Sequence, residues 1–148
     1  MAAANSLTHK KFKVLIGNGA TPEVFAAPCA FNTRGWSGNA DTIDSTVPDC
    51  DDEELAVWTE TEVSALSSQI QGNGVLHMAD WPTWRQWFFS GAKKNVRVLL
   101  DRDGANKGGY MEQQYVLTNL ELTSERLGKA QVSVTMKSSG SPTWTDAA

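Results

Sequence analysis

Residues that could carry out chemistry are few and scattered along this chain. His9 lies near the N-terminus and His77 beside the end of a predicted strand, and neither is close to a nucleophile motif. The turn Gly17-Asn18-Gly19 lacks the further glycines, the lysine and the following helix of a phosphate-binding loop. We therefore expect no catalytic residues, no cofactor and no enzymatic activity.

One group of carboxylates partly matches a calcium-binding loop. Asp101, Asp103 and Glu112 fit positions 1, 3 and 12 of that pattern, whereas Ala105 and Asn106 replace a ligand and the glycine of the sharp turn. Strands, not helices, are predicted on both sides. The pattern therefore favours a solvated turn, and we predict no metal site.

Six tryptophans could provide aromatic platforms, which on β-domains can stack against sugar rings. Three of them fall in a predicted helix at 81–90, where they are expected to pack against a sheet. Trp36, Trp58 and Trp144 fall in or near predicted loops and termini, where aromatic residues can anchor interfaces. These three are candidate inter-subunit contacts, and a carbohydrate-binding or adhesin-like module stays open as an alternative.

Charge is distributed unevenly along the sequence. The net charge is −4, yet the segment from Gly35 to Trp84 holds ten of the seventeen acidic residues and no Lys or Arg, so it carries −10 against +6 elsewhere. Five acids in one run are further candidate contacts: Asp49, Asp51, Asp52, Glu53 and Glu54. Such asymmetry favours head-to-tail association of identical copies, although a solvated acidic loop is the alternative. The acidic balance argues against direct nucleic-acid binding.

The elements that position these residues are expected to form one domain over residues 1–148, with an N-terminal arm at 1–9 and a C-terminal tail at 139–148. No apolar run approaches the roughly 18 to 20 residues that span a bilayer, and no signal peptide is predicted. We therefore expect a cytoplasmic chain without membrane contacts. Cys29 and Cys50 lack metal-ligand spacing and are predicted to be free thiols.

Alternating apolar and polar residues predict seven or eight strands, with mostly short connections that favour antiparallel neighbours. The predicted strands are 10–16, 23–30, 55–62, 63–78, 94–100, 110–123 and 129–137. The helix at 81–90 has Asp80 as its predicted N-cap and Gly91 just past its end. Residues 32–54 show little periodicity and are predicted to form a long loop, and Gly72-Asn73-Gly74 a turn or bulge. The expected fold is mainly β, an antiparallel β-sandwich or partly closed barrel with one short helix.

Five segments and the predicted helix, taken in order, carry a resemblance to a known family. The segments are Phe12–Ile16, Asp41–Thr46, Ser67–Leu76, Val96–Leu100 and Val132–Gly140. In this order they resemble the major tail tube protein family of long-tailed bacteriophages (siphoviruses) and gene transfer agents, over nearly the whole chain.

The resemblance implies a structural virion protein that assembles as six-fold rings stacked into a hollow tail tube. Double-stranded DNA leaves the capsid through such a tube. The implied partners are copies of the chain itself, other tail proteins at the tube ends, and DNA in passing without specific binding. The implied location is the virion tail, after assembly in the host cytoplasm. The long loop and terminal arms are expected to contact adjacent subunits and rings.

Overall fold

The computed structural model describes residue 4, residues 6–28 and residues 31–147. Seven antiparallel strands form one sheet in the order β2-β1-β5-β6-β7-β4-β3. The elements, in chain order, are β1 (Phe12–Gly17), β2 (Phe25–Ala26), β3 (Phe31–Asp44), β4 (Thr61–Val75), α1 (Trp81–Ser90), β5 (Lys93–Leu100), β6 (Gly109–Thr123) and β7 (Gln131–Asp146). The predicted mainly β, antiparallel fold with one helix is confirmed, and the sheet is not closed into a barrel.

The core forms where the apolar face of the sheet meets the helix. In β7 the side chains of Val132, Val134 and Met136 are buried, and they alternate with more exposed residues as the sequence predicts. The helix contributes Trp84 and Trp87, whose stacked rings lie 6.1 Å apart and are both fully buried. Burial of these indoles against the sheet confirms the packing expected for the tryptophan-rich helix.

The helix occupies the predicted residues, and Asp80 and Gly91 lie at its two ends as predicted. Gly91 ends it in the left-handed conformation (φ 65°), where its N–H donates to the carbonyl of Trp87. Asp80 is the N-cap residue, as predicted, although its side chain makes no capping hydrogen bond. Asp80 already has helical backbone angles and continues a turn in which its N–H donates to the carbonyl of His77.

The sheet curves so that β3 approaches β1 without pairing with it. The Arg34 side chain of β3 spans this gap, donating from Nε to the carbonyl of Phe12 (2.5 Å) and from Nη2 to the carbonyl of His9 (2.6 Å). Side chains from both sides of the gap, such as Val14 and Ile70, belong to the same buried cluster. A single guanidinium therefore takes the place of the backbone ladder that would close a barrel.

The predicted long loop at residues 32–54 is wrong over most of its length. Residues up to Asp44 form β3, which pairs with β4 from Phe31↔Gly74 to Asp44↔Thr61. The connecting segment without strand structure is 45–60, so the strand predicted at 55–62 is wrong up to residue 60. Most of β3 is exposed on both faces, and so its sequence lacks the alternation that marks a half-buried strand.

Two further stretches predicted as irregular lie within strands. The Gly72-Asn73-Gly74 segment continues β4 without a turn, and Gly72 leaves room for the ring of Phe31, which would lie 3.0 Å from a Cβ there. β7 does not end at residue 137 but runs to Asp146, with three residues, 140–142, bulging opposite β6. Residues 139–146 of the predicted C-terminal tail therefore belong to β7, and residues 139 and 143–146 pair with β6.

Parts of the chain termini and one cysteine fall outside the described residues. Residues 1–3 and 5 of the predicted N-terminal arm belong to this group, while His9 starts a short 3-10 turn. Cys50 is an exposed free thiol, and Cys29 lies outside the described residues. Within those residues, no helix combines the length and apolar character needed to cross a membrane.

Candidate self-association surface

The outer ends of β3 and β4 form a two-stranded extension of the sheet, which we call the arm (residues 37–67). Pairing between β4 and β7 stops at Gln69↔Lys137, beyond which β7 pairs only with β6. No residue of the arm is buried, and only 45, 46 and 49 are even partly covered. A two-stranded ribbon of this kind is only marginally stable on its own in water, so the arm lacks the packing that stabilises the rest of the sheet.

Large apolar side chains are concentrated on the arm. Seven of the fifteen exposed ones among the described residues belong to it: Ile43, Val47, Leu55, Val57, Trp58, Val63 and Leu66. Trp58 is 94% exposed and Leu66 80% exposed. Exposed apolar side chains concentrated in one part of a protein indicate a candidate interaction site.

The apolar residues on one side of the arm continue the core face of the sheet. Trp36 pairs with the buried Ile70, and four positions further along Ala40 pairs with Leu66, so these side chains share a face. This face lines a groove of ≈ 610 Å³, whose opposite wall includes Pro142. The face of the sheet that forms the core therefore continues onto the base of the arm, where its residues are exposed.

The arm also carries most of the negative charge. It holds nine acids and no Lys or Arg: Asp41, Asp44, Asp49, Asp51, Asp52, Glu53, Glu54, Glu60 and Glu62. Basic residues lie elsewhere, as at Lys11 and Lys13, which flank Asp101 at 3.7 and 3.8 Å. A surface that is both acidic and apolar fits a basic, partly apolar partner surface.

The stem of the connecting segment is held by a small set of hydrogen bonds. The Ser45 N–H donates to the Glu60 carbonyl at 2.9 Å, and the Glu60 N–H donates to Thr46 Oγ1 at 2.8 Å. Asp44 Oδ1 in turn accepts from the Thr46 N–H at 2.9 Å and from its hydroxyl. The bonds from Thr46, first from its side chain and then from its backbone, hold the pKa of Asp44 below its usual value.

Six of the eight predicted contact residues lie together on the connecting segment. They are Asp49, Asp51, Asp52, Glu53, Glu54 and Trp58. Trp36 lies at the base of the arm, where its Nε1 donates to Tyr115 Oη at 3.1 Å. Trp144 lies apart from them in sequence on β7, where its Nε1 donates to Asp146 Oδ1 at 2.7 Å.

The sequence prediction missed the apolar strand residues of the arm. Ile43, Val63 and Leu66 are among its exposed side chains, but residues 32–54 were expected to be a loop and Leu66 was not considered a contact. The available signal was the β-branched content of Thr42-Ile43 and of Thr61 to Val63, which favours extended structure.

The three carboxylates of the calcium-like pattern each interact with different partners and do not form one site. Asp101 faces two lysines, and Glu112 accepts from Arg97 Nε at 3.0 Å. Asp103 caps the 3-10 turn Gly104–Asn106, and hydrogen bonds from Asn106 lower its pKa. Among residues 4, 6–28 and 31–147, no group of three or more His, Cys, Asp or Glu could hold a metal ion.

Comparison with known proteins decides between the remaining classes. The sequence profile described as phage tail tube protein matches residues 8–144. The chain belongs to the phage tail tube protein family. The resemblance drawn from the sequence is thus confirmed, and this tail tube family member is a structural protein of the phage tail. The carbohydrate-binding alternative is not favoured.

Solved structures share the fold of this tail tube family member. The tail of an empty gene transfer agent particle, refined with C6 symmetry, matches with a TM-score of 0.75 and 22% identity, covering 95% of this chain and 99% of that one. The SPP1 tail tube matches at 0.70 and 11% identity, covering 95% and 80%. The sheath–tube complex of an extracellular contractile injection system matches at 0.63 and 15% identity, covering 96% and 93%. No curated protein sequence matches.

Proposed function

We propose that copies of this chain assemble into stacked rings, six to a ring, which form the hollow tail tube of a virion. Double-stranded DNA passes along the tube without specific binding. The subunits assemble in the host cytoplasm, and other tail proteins join the tube at its ends. The tube requires no cofactor and no catalytic activity. The six-fold symmetry of the gene transfer agent tail that shares this fold supports the ring size.

The observation that carries this proposal is the arm, a part of the sheet in which no residue is buried. β3 is the last strand of the sheet, and its outer edge pairs with no other strand in the part of the chain described. Unpaired edges present rows of N–H and C=O groups that a second chain can pair with. Docking against a neighbouring copy would cover both this edge and the exposed apolar side chains.

Head-to-tail contacts are the geometry that builds such a tube. The arm of one copy differs in charge and shape from the body it would meet, so the contact joins two different surfaces and each copy keeps both available. Contacts of this heterologous type close into rings when the rotation permits, and rings with two different faces can stack without limit. An arm with no basic residue and a body with an excess of them fit this arrangement.

The candidate contact residues are of two kinds, aromatic and acidic. Trp58 is the most exposed aromatic residue described, and a large aromatic side chain that becomes buried can dominate the energy of an interface. Trp36 and Trp144 are partly exposed and supply further contact area. The acidic run from Asp49 to Glu54 supplies the charge that attracts a basic neighbour.

The excess of acid also suits a conduit for DNA. A wall with the same sign of charge as the phosphate backbone repels it, so the duplex can slide without sticking. The net charge of −4 is consistent with such a wall.

Purified full-length protein provides the test. Light scattering coupled to size-exclusion chromatography, followed by electron microscopy over a range of concentrations, should show rings or tubes that increase with concentration. A strictly monomeric species at the highest soluble concentration would contradict the proposal.

A further inference from the structure

The arm leaves the body of the protein at a fork in the sheet, and the fork is filled by a buried polar network. Beyond Gln69↔Lys137, β4 no longer pairs with β7. The next N–H of β4, that of Ser68, donates to the Ser138 side chain at 2.8 Å instead of to a strand carbonyl. Side-chain bonds thus replace the backbone ladder where the two halves of the sheet diverge.

Tyr115 of β6 lies at the centre of this network. Its hydroxyl accepts from Trp36 Nε1 at 3.1 Å and lies 2.8 Å from Ser68 Oγ and 3.2 Å from Gln113 Oε1, either of which can accept its one proton. When Tyr115 donates to Ser68, Ser68 Oγ donates in turn to Gln113 Oε1 at 3.0 Å. Gln113 Nε2 donates to the carbonyl of Gly140 in the β7 bulge at 2.6 Å. The Tyr115 hydroxyl therefore connects β3 and β4 at the base of the arm to β6, and Gln113 extends the connection to β7.

The network is unusual in this protein for its burial. Tyr115 is 1% exposed, and Ser68 and Gln113 are the two buried polar side chains among the described residues. No buried side-chain nitrogen or oxygen in those residues lacks a partner. A fully satisfied buried network favours one arrangement over its alternatives, because any other arrangement leaves polar groups without partners.

We propose that Tyr115 is a positioning residue, which fixes the direction of the arm so that it meets the neighbouring copy in one geometry. This inference rests on the proposed function, because it assigns Tyr115 to the same self-association surface. The residue touches no neighbour itself and acts through Trp36 and Ser68 at the base of the arm. Loss of its hydroxyl should free the arm while the core keeps the aromatic ring.

The chain contains a matched control, because its two tyrosines both lie on β6. Tyr110 packs its ring against the Arg97 guanidinium at 4.5 Å and is not part of the fork network. Tyr115→Phe and Tyr110→Phe therefore remove the same atom from the same strand. Hydrogen exchange is measured on the monomeric fraction from size-exclusion chromatography. The exchange rates of the amides at the arm base, residues 36–40 and 65–68, are compared with those of β1 and β5.

The expected result for Tyr115→Phe is faster exchange at the arm base by about fivefold, the factor that corresponds to one lost buried hydrogen bond. Exchange in β1 and β5 and the melting temperature should match those of Tyr110→Phe. Assembly should begin at a higher concentration than in wild type. Ser68→Ala, which removes the hydroxyl on β4 at the base of the arm from the network, should reproduce the exchange pattern and serves as the second variant if Tyr115→Phe does not fold.

Two results would overturn the inference. One is arm-base exchange equal to that of Tyr110→Phe, and the other is an increase spread evenly over the whole sheet, which indicates general destabilisation. Failure of the wild-type chain to assemble would instead contradict the proposed function. The exchange measurement on the monomer does not depend on assembly, so the two failures are distinguishable.

Discussion

The body and the arm of this protein are parts of one sheet, yet they are stabilised in opposite ways. In the body, side chains such as Val96, Val98 and Trp84 are fully buried within the chain's own core. In the arm, no residue from 37 to 67 is buried, although apolar side chains are plentiful. The body therefore has a core of its own, whereas the arm exposes its apolar side chains in the monomer.

The largest expected effect comes from emptying the core of the body. Trp84→Ala should reduce the free energy of unfolding by about 3–5 kcal/mol, because it removes a buried indole and leaves a cavity. Phe89→Ala on the same helix, where the side chain is 78% exposed, should leave stability nearly unchanged. Urea denaturation of both variants checks this difference, and equal losses would show that the helix packs differently.

A surface leucine on the arm should matter for assembly and not for folding. Leu66→Ser should leave the urea midpoint nearly unchanged, since the side chain is 80% exposed in the monomer. If docking buries it, the concentration at which tubes appear should rise about tenfold or more, from a loss of roughly 1.5–3 kcal/mol.

The matched control is Leu127→Ser, because Leu127 is 97% exposed in the turn between β6 and β7. It should assemble like the wild-type chain. Equal effects of the two substitutions on assembly would remove the distinction between the arm and the rest of the surface.

The charge of the arm should set the salt dependence of assembly. Added salt should slow assembly of the wild-type chain, because it screens attraction between the acidic arm and a basic neighbour. Neutralising four acids of the connecting segment, as Asp51→Asn, Asp52→Asn, Glu53→Gln and Glu54→Gln, should flatten that dependence. Light-scattering rates at several salt concentrations provide the measurement.

The control for this variant uses two acids outside the arm, Glu121 on β6 and Glu125 just after it. Glu121→Gln with Glu125→Gln removes charge away from the arm and should keep the wild-type salt slope. An unchanged slope in the arm variant would rule out an electrostatic role for the connecting segment.

The smallest effect concerns the stem of the arm. Hydrogen bonds from Thr46 lower the pKa of Asp44 in the folded state below 3.8, so their stabilising contribution is present above that pH. It should be lost as the pH falls below 3.8 through the folded-state value. The Thr46 amide shift, followed by NMR, should titrate in that range and should not do so in Asp44→Asn; a midpoint at or above 3.8 would contradict the bond.

The same contrast explains what could be predicted from the sequence. The alternation of Val132, Val134 and Met136 reports burial on one face, and it correctly predicted a strand. The helix at 81–90 was correct because indoles at helical spacing and Gly91 mark its face and its end. Both signals arise from burial inside the chain, and so they are strongest in the body.

The arm was predicted poorly because its residues are not buried within the chain. Gly38, Asn39 and Asp41 lie in a strand whose two faces are open in the monomer, so no alternation of polarity distinguished it from a loop. Similarly, the network around Tyr115 joins residues as distant in sequence as 36 and 115, and no local pattern indicates such a contact. The acidic run and Trp58 could be chosen as contact candidates because charged and aromatic residues are identified from the sequence alone.

Solvent accessibility in the assembled state tests the central idea most directly. Hydroxyl-radical footprinting of monomer and assembled protein should show strong protection of Trp58 and Leu66 on assembly, while Leu127 remains as reactive as before. Protection confined to the body, with Trp58 and Leu66 equally reactive in both states, would contradict the idea that neighbouring copies complete the arm.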